Sequence, residues 1–562
     1  MIVFLRLFKN FFFCFLLCFL AFASLNNVYA ETLPDAGRII QENNLQKIKP
    51  PSNSNFKLED LRQDYLKDTS KKSLTLNSVT FEGNQSLTAE ELGLVIGELN
   101  GKSFDFYELV NLTNSVTNYY REKGYSFARA YLPPQSINNG NLLIKIEEGF
   151  YGDINTVGDD KFAPKAKDFL SRLNSGDPIY APTLESSLLI LEDQPGIKIT
   201  PLMRPGQAIG TGDLDVRVDS YKRYGGSLYA DNYGNRYSGR TRGGFSAFVN
   251  SPFMLGDQFV INGLYTNEDM WFGAANYNLP LNNKGLRGKV GFSHTYYELG
   301  KEYSSLEANG TADIFTIGIK YPIIRSQKGN INVDIDYKNK SLIDKQDAAG
   351  TKDKKSSDSI PITLSFDLRD TIGYGGVTYG ALTWTHGNID LGNGSDKDND
   401  VNSSIHGSFN KLNLDAARIQ FITPKIQGYF RLSSQWAFNN LDSSESFGLG
   451  GVNGVRAYPT GEGFGDQGSL IQTEIRYLTQ LNNGLNLNPY IHYDLGTIKI
   501  NYDNWTGEKN TRTISGAGIG LKTSYNKFTA DINLAWRLAG GAPVSDSKDH
   551  IPNLWLSLGY DI

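Results

Sequence analysis

The chain has 562 residues, 55 basic against 60 acidic, and two cysteines. Both cysteines, Cys14 and Cys18, fall in the first 30 residues, so the rest can hold no disulfide or thiolate metal site. The acidic balance argues against nucleic acid as a partner. After Ala30 no apolar run is long enough for a membrane helix, which leaves membrane barrels open because their lipid-facing residues alternate with polar ones.

The first 30 residues have the form of a secretory signal peptide. Arg6 and Lys9 precede an apolar run from Phe11 to Phe22, and Val28 and Ala30 are small residues before a cleavage point. Residues 31–48 predict a short helix, with Asp35 near its N-cap and Ile39, Ile40 and Ile48 as its apolar positions. Residues 49–73, broken by Pro50 and Pro51, form a polar linker.

Two tandem β-α-α-β-β units are expected next, over 74–149 and 150–220. In the first, LTLNSVTFEG, YSFARAYLP and NLLIKIEEG are the strands. TAEELGLVI, capped by Thr88, is a short helix, and a longer one carries Leu109, Leu112, Val116 and Tyr119 on one face and stops at Gly124. In the second, FYGDINTVGD, GIKITPLMRPG and GDLDVRVDS are strands, and APKAKDFLSRL and LESSLLILED are helices.

Residues 221–562 have period two. Ile331, Val333, Ile335 and Tyr337 alternate with Asn332, Asp334, Asp336 and Lys338. Phe528, Ala530, Ile532, Leu534 and Trp536 do so with Thr529, Asp531, Asn533, Ala535 and Arg537. About sixteen such segments of ~10 residues fit a closed barrel that crosses a membrane with tilted strands. A soluble β-sandwich or propeller fits worse, because one face is apolar strand after strand. KIQG predicts a tight turn, and DKQDAAGTKDKKSSD and NGSDKDNDVNSS predict long polar loops.

A glycine-rich loop, 440–467, falls between the eleventh strand (429–439) and the twelfth (469–478) and carries a single arginine, Arg456. Alternation turns Glu474 and Arg476 of the twelfth strand, and His492 and Asp494 of the thirteenth, into the lumen.

These features resemble one family. PDAG at 34–37, the two α+β units, DNYGNRYSGRTRGG at 231–244, VRAY at 455–458 and HYDLG at 492–496 are similar to the two-partner secretion transporters, the TpsB proteins of FhaC and ShlB type, relatives of the BamA superfamily. The resemblance implies a mainly β fold: a 16-stranded antiparallel transmembrane β-barrel, two N-terminal periplasmic POTRA domains and a plug helix. It implies that Arg456 pairs with Asp494 as a latch in the lumen. Val455, Ala457 and Tyr458 complete the loop motif, and His492 and Gly496 belong to the strand motif. Ala457 and His492 depart from the family's glycine and phenylalanine. With Ala457 the backbone is expected at negative φ. His492 adds a titratable group beside Asp494.

The implied function is export of a large secreted partner, an adhesin, cytolysin or haem-binding protein, taken up through its N-terminal secretion domain. The POTRA strands would hold it by β-augmentation, with Ser126–Leu132 and Ile197–Leu202 as candidate edges. Outer-membrane lipids and the barrel-assembly machinery are the other expected partners. A barrel-assembly insertase, an outer-membrane enzyme and a diffusion porin are the rival readings. No cofactor, metal or catalytic site is expected: the five histidines lack zinc-ligand spacing, and neither GxGxxG nor GxxxxGK[ST] is present.

Overall fold

Period-two alternation over the C-terminal part of the chain produces strands whose two faces meet different solvents. The computed structural model describes residues 33–44, 49–52, 56, 73–137, 139–392 and 394–562. The expected signal peptide, Ile48 and most of the linker lie outside these residues.

The described chain starts with helix α1 (Ala36–Asn44). The first α+β unit has β1 (Ser73–Leu76), β2 (Ser78–Glu82), α2 (Ala89–Ile96), β3 (Lys102–Asp105), α3 (Phe106–Glu122), β4 (Arg129–Tyr131) and β5 (Asn141–Glu147). Its main sheet runs β2-β5-β4, with β1 and β3 as a separate pair. The single strand expected over LTLNSVTFEG is broken at Asn77. There the backbone N–H and the side-chain amide both turn to the Asn139–Gly140 corner, at 2.7 and 3.0 Å, and the chain changes sheets. Thr88 and Asp105 each close a capping box, on α2 and α3. The strand expected over YSFARAYLP is only three residues long.

The second unit has β6 (Phe150–Gly158), α4 (Ala163–Ala166), α5 (Ala181–Glu192), β7 (Ile197–Pro205) and β8 (Thr211–Ser220), in sheet order β6-β8-β7. The expected helix over APKAKDFLSRL is a single α turn that tightens into a 3₁₀ turn, Lys167–Leu170. Each unit has its own apolar core: Leu92, Leu109, Val116, Tyr120 and Ile144 are buried in the first, and Phe162, Leu188, Leu191 and Val216 in the second.

The barrel comprises β9 (Tyr224–Asp231), β10 (Arg242–Asn250), β11 (Gln258–Thr266), β12 (Trp271–Pro280), β13 (Arg287–Glu298), β14 (Ala308–Arg325), β15 (Gly329–Gln346) and β16 (Thr351–Asp370). It continues through β17 (Gly376–Asp390), helix α6 (Ser395–Ser403), β18 (Gly407–Thr423) and β19 (Ile426–Ala437). A small pair, β20 (Phe447–Gly448) and β21 (Phe464–Gly465), lies inside the next connection. The wall resumes with β22 (Gln467–Tyr477), continued by β23 (Thr479–Gln480), then β24 (Asn486–Lys499), β25 (Thr511–Tyr525), β26 (Phe528–Ala539) and β27 (Asn553–Asp561). β27 pairs antiparallel with β9 and closes the barrel. With β22 and β23 as one interrupted strand, sixteen strands surround the lumen, and no backbone edge faces lipid in the closed ladder.

Ile317, Ile319, Ile335, Tyr337, Ile360, Leu364, Trp384, Ile491, Ile519, Ile532 and Leu558 are exposed on the outer face. Lys340, Lys355, Lys411, Arg431, Glu474 and Asp494 are buried on the inner one. Large exposed apolar residues on one face with buried charges on the other are the signature of a lipid-embedded barrel.

One expectation is corrected. The stretch DKQDAAGTKDKKSSD is not a long loop: β15 runs to Gln346 and β16 restarts at Thr351, with one 3₁₀ turn between them. At ~3.3 Å per residue, strands of 18 and 20 residues outreach a bilayer. Beyond the lipid both faces are wet, so the strand needs no apolar alternation. The other expected loop, NGSDKDNDVNSS, contains α6.

Candidate functional site

The connection between β19 and β22 folds back into the lumen and is built around Arg456. Its guanidinium forks onto Asp494 of β24, Nε to Oδ2 at 2.8 Å and Nη2 to Oδ1 at 2.7 Å. The remaining amino group, Nη1, donates to Oε1 of Glu474 on β22 at 2.6 Å. The Arg456 backbone N–H adds a bond to Asp494 Oδ2, 3.1 Å. Arg456 is 2% exposed, Glu474 2% and Asp494 0%, so water does little to screen these charges. Burial opposes the guanidinium's charge, but Asp494 and Glu474 more than offset it and hold the pKa above the ordinary arginine value.

The carboxylates are shared further. Glu474 Oε2 accepts from Arg476 Nε at 2.7 Å and from Lys522 Nζ at 3.2 Å. The loop backbone is pinned on both flanks. Gln472 donates to Gly454 O at 2.7 Å, and Arg431, paired with Asp415, donates to Asn453 O at 3.1 Å. The Arg456 carbonyl accepts from Trp555 Nε1 at 2.7 Å and Asn553 Nδ2 at 3.1 Å on β27.

An apolar cluster supports the ion pairs. Phe447, Leu449, Val455, Ala457 and Tyr458 of the loop pack on Leu470, Ile498, Ile514 and Ala535 of the wall. Gly496 makes this approach possible: a Cβ there would lie 2.7 Å from Leu449 and 3.2 Å from Val455. His492 lies beside the pair, its Nδ1 3.4 Å from Asp494 Oδ2. Neither ring nitrogen has a hydrogen-bond partner among the described residues.

Helix α1 occupies the lumen beside this loop. Ala36, Ile39 and Ile40 pack on Tyr237, Met270, Tyr297 and Leu342. Asp35 caps the helix, accepting from Arg38 N at 2.8 Å, and also accepts from Ser443 Oγ at 2.6 Å and Lys355 Nζ at 3.3 Å. Burial raises the Asp35 carboxyl, but Lys355 and Arg38 outweigh it and hold it at about 2. Glu42, only partly buried beside Asn235, is pushed up by its loss of water to about 7, even though Asn235 Nδ2 donates to it at 2.9 Å. The loop segment under the helix is held by Lys340 and Lys411 on Glu445, at 2.5 and 2.7 Å, and by Lys355 on Asp442, at 2.9 Å.

The structure therefore brings Arg456, Asp494, Glu474, Arg476 and His492 together and puts Val455, Ala457, Tyr458 and Gly496 around them. Glu474, expected only to face the lumen, is a direct partner of Arg456. Gln472 could have been found by parity, since it shares the inner face with Glu474. The bonds of Arg431 to Asn453 O and of Trp555 to Arg456 O carry no such signal, because only the folded loop presents those carbonyls. Among the described residues no group of acidic, histidine or cysteine side chains is arranged to hold a metal ion.

Residues 210–523 match the family described as haemolysin secretion/activation protein ShlB/FhaC/HecB, and residues 74–149 match the ShlB-type POTRA domain. The chain belongs to this family. It is an outer-membrane translocator of the two-partner secretion class, with its POTRA region on the periplasmic side. The heme/hemopexin transporter protein HuxB of Haemophilus influenzae is 26% identical over 557 residues, covering 96% of this chain and 97% of the relative. The outer membrane transporter CdiB of Dickeya dadantii is 21% identical, covering 83% of this chain and 82% of the relative. Among solved structures, CdiB from Escherichia coli aligns with a TM-score of 0.73 at 17% identity, over 94% of this chain and 96% of that one. This last likeness concerns the fold.

Proposed function

We propose that this transporter exports one large secreted exoprotein. The partner's N-terminal secretion domain docks on the POTRA strands, and the unfolded chain passes through the barrel to the cell surface. The sheet orders leave β2 and β4 at the edges of the first unit and β6 and β7 at those of the second. An edge strand can take up an extended segment by β-augmentation. The names of its HuxB relatives make a haem- or hemopexin-handling exoprotein the first candidate cargo.

The observation that carries the mechanism is the double occupancy of the lumen by α1 and by the Arg456 loop. Each is held by a small apolar cluster and by polar groups that water or another chain can replace. In this reading α1 is a plug that withdraws, and the Arg456–Asp494 pair is a latch that sets the loop's resting position. Folding of the exported chain outside supplies direction, and no catalytic step is needed. The test is export of the partner by a strain carrying Arg456→Ala. With the barrel assembled, reduced export is expected. Undiminished export overturns the role of the latch.

A further inference from the structure

Four lysines line one side of the lumen, and the carboxylates they meet sit on the parts that fill it. Lys338 and Lys340 lie on β15, Lys355 on β16 and Lys411 on β18. Lys340 and Lys411 are buried, and among the described residues the carboxylate each meets is Glu445 of the Arg456 loop, at 2.5 and 2.7 Å. Lys355 is buried too, and reaches Asp442 of the loop at 2.9 Å and Asp35 of α1 at 3.3 Å. Ser443 Oγ ties the two lumen occupants together at this point, donating to Asp35 at 2.6 Å. Lys338 makes no ion pair among the described residues.

Other lumen cations are arranged differently. Lys289 pairs with Asp336 at 2.7 Å, Arg431 with Asp415 at 2.5 Å and Arg242 with Asp231 at 2.7 Å, wall residue on wall residue. Those pairs survive when the lumen empties. Lys340 and Lys411 would lose Glu445, and a buried charge left without its partner is costly. This side of the wall therefore calls for new carboxylates as the loop and α1 leave. β15 rises from the periplasmic turn at 326–328, so a chain entering from that side meets Lys338 before Lys340. The two lie two residues apart on one strand, ~6.6 Å. An extended passenger repeats the side chains of one face at the same interval.

We propose that Lys338, Lys340, Lys355 and Lys411 form a binding track for acidic segments of the exported chain. Aspartate and glutamate side chains of the passenger take the places of Glu445, Asp442 and Asp35. Lys338 offers the first contact. Occupation of Lys340, Lys411 and Lys355 then releases the foot of the loop and the start of α1 together, because the same group of cations holds both. Several carboxylates on one chain outcompete single anions, since once the first is bound the others act at high effective concentration. The proposal rests on the reading that the exported chain passes through this lumen.

The experiment follows α1 in the full chain in detergent micelles. Ala36 is 0% exposed, so Ala36→Cys reports departure of the helix through its rate of reaction with an uncharged maleimide, read at residue 36 by mass spectrometry. The probes are polyglutamate, polylysine and glycine-serine peptides of equal length. Polyglutamate should speed the labelling by at least about fivefold at a concentration where the other two leave it unchanged, the effect of about one partly screened ion pair. Added salt should weaken the response. Lys338→Gln should raise the polyglutamate concentration needed by about threefold, and Lys338→Arg should restore it, each judged against its own peptide-free rate. Lys340→Gln with Lys411→Gln should raise the peptide-free rate and remove most of the further response to polyglutamate.

Equal action of the three peptides overturns the proposal. So does a polyglutamate response that Lys338→Gln and the double variant both leave at its wild-type value, since the peptide then acts outside the lumen. If the double variant does not fold, Lys338→Gln decides alone, because its side chain pairs with neither lumen occupant among the described residues. Failure of the export reading shows elsewhere, as undiminished secretion by Arg456→Ala, which leaves the peptide result standing.

Discussion

The methyl group of Ala457 rests against Gly516 of β25. A Cβ at Gly516 would clash with it, and a Cβ would also lie 2.9 Å from Trp536 O. Ala457 is buried and has no positive φ, and its methyl fits because the opposite strand has no side chain at Gly516. Gly516→Leu should therefore unseat the loop as Arg456→Ala does, through volume and not charge. Ala457→Gly should leave it seated, at a cost of about 0.5–1 kcal/mol in backbone entropy. Protease accessibility of residues 440–466 in the folded barrel measures both. Equal protection in wild type and Gly516→Leu would refute the packing argument.

The Arg456 fork predicts a graded series. Removing one partner of a buried, hydrogen-bonded pair costs about 3–5 kcal/mol, toward the lower end where lumen water can enter. Asp494→Asn should lose most, because Asp494 takes two guanidinium bonds and one from the backbone. Glu474→Gln should lose less at Arg456, since it takes one guanidinium bond, but should also weaken the hold on Arg476, which keeps Gln427, and on Lys522. Arg456→Lys keeps the charge and loses the fork, and should fall between wild type and alanine. The temperature at which the folded barrel loses its fast electrophoretic form ranks the four. An unchanged temperature for Asp494→Asn would contradict the order.

How far the sequence carries can be judged at these residues. The inward direction of Asp494, Glu474, Arg476 and His492 was legible, because strand parity leaves a residue only two faces. The cap at Thr88 and the stop at Gly124 were legible for a similar reason: each is a local rule. The length of β15 and β16 was not. Alternation is written only where one face meets lipid, and Lys345 opposite Lys352 sits above that zone. Nor was the loop tip: Glu462 looks like one more polar loop residue until Val544 and Ser545, some 80 residues away, turn their N–H groups to it. Contacts between two irregular segments have no period and leave no trace in either.

Docking of α1 should depend on pH through Glu42. Its carboxyl rises from an ordinary 4.5 to about 7 when the helix is seated, by burial, with Asn235, Arg38 and Arg242 opposing and Asp35 reinforcing the rise. A group whose pKa is raised in the docked state favours docking below its free value and loses that contribution as pH rises through the docked value. Docking should therefore weaken between about pH 4.5 and 7. Asp35, held at about 2, has the opposite sign but acts only below its ordinary 3.8, outside that window. Channel recordings from pH 5 to 8 should show more open time at the alkaline end in wild type. In Glu42→Gln, which is neutral throughout, the trend should flatten. A slope that survives the substitution would assign it to another group.

The second α+β unit is clamped to the periplasmic turns of the barrel, and the clamp includes the chain that leads to α1. Arg325, at the foot of β14, forks onto Asp193 with two bonds of 2.7 Å. Gln327 N donates to Glu185 of α5 at 2.9 Å, while its side chain donates to Phe56 O at 3.2 Å. Phe56 packs on the core of the second unit, and Arg369 donates to the carbonyls of Pro51 and Ser52 at 3.2 and 2.8 Å. One turn thus holds both the second α+β unit and the chain at Phe56. Asp193 is half exposed, so its pair contributes only about 0–1 kcal/mol, and Asp193→Asn alone should change little. Asp193→Asn with Glu185→Gln and Phe56→Ala removes charge, bond and packing together. It should broaden the distance distribution between spin labels at Ser171 and Asn482 and raise the accessibility of a cysteine at Gln41. If the first distribution broadens while Gln41 stays protected, the second unit and the helix are not mechanically joined at this turn.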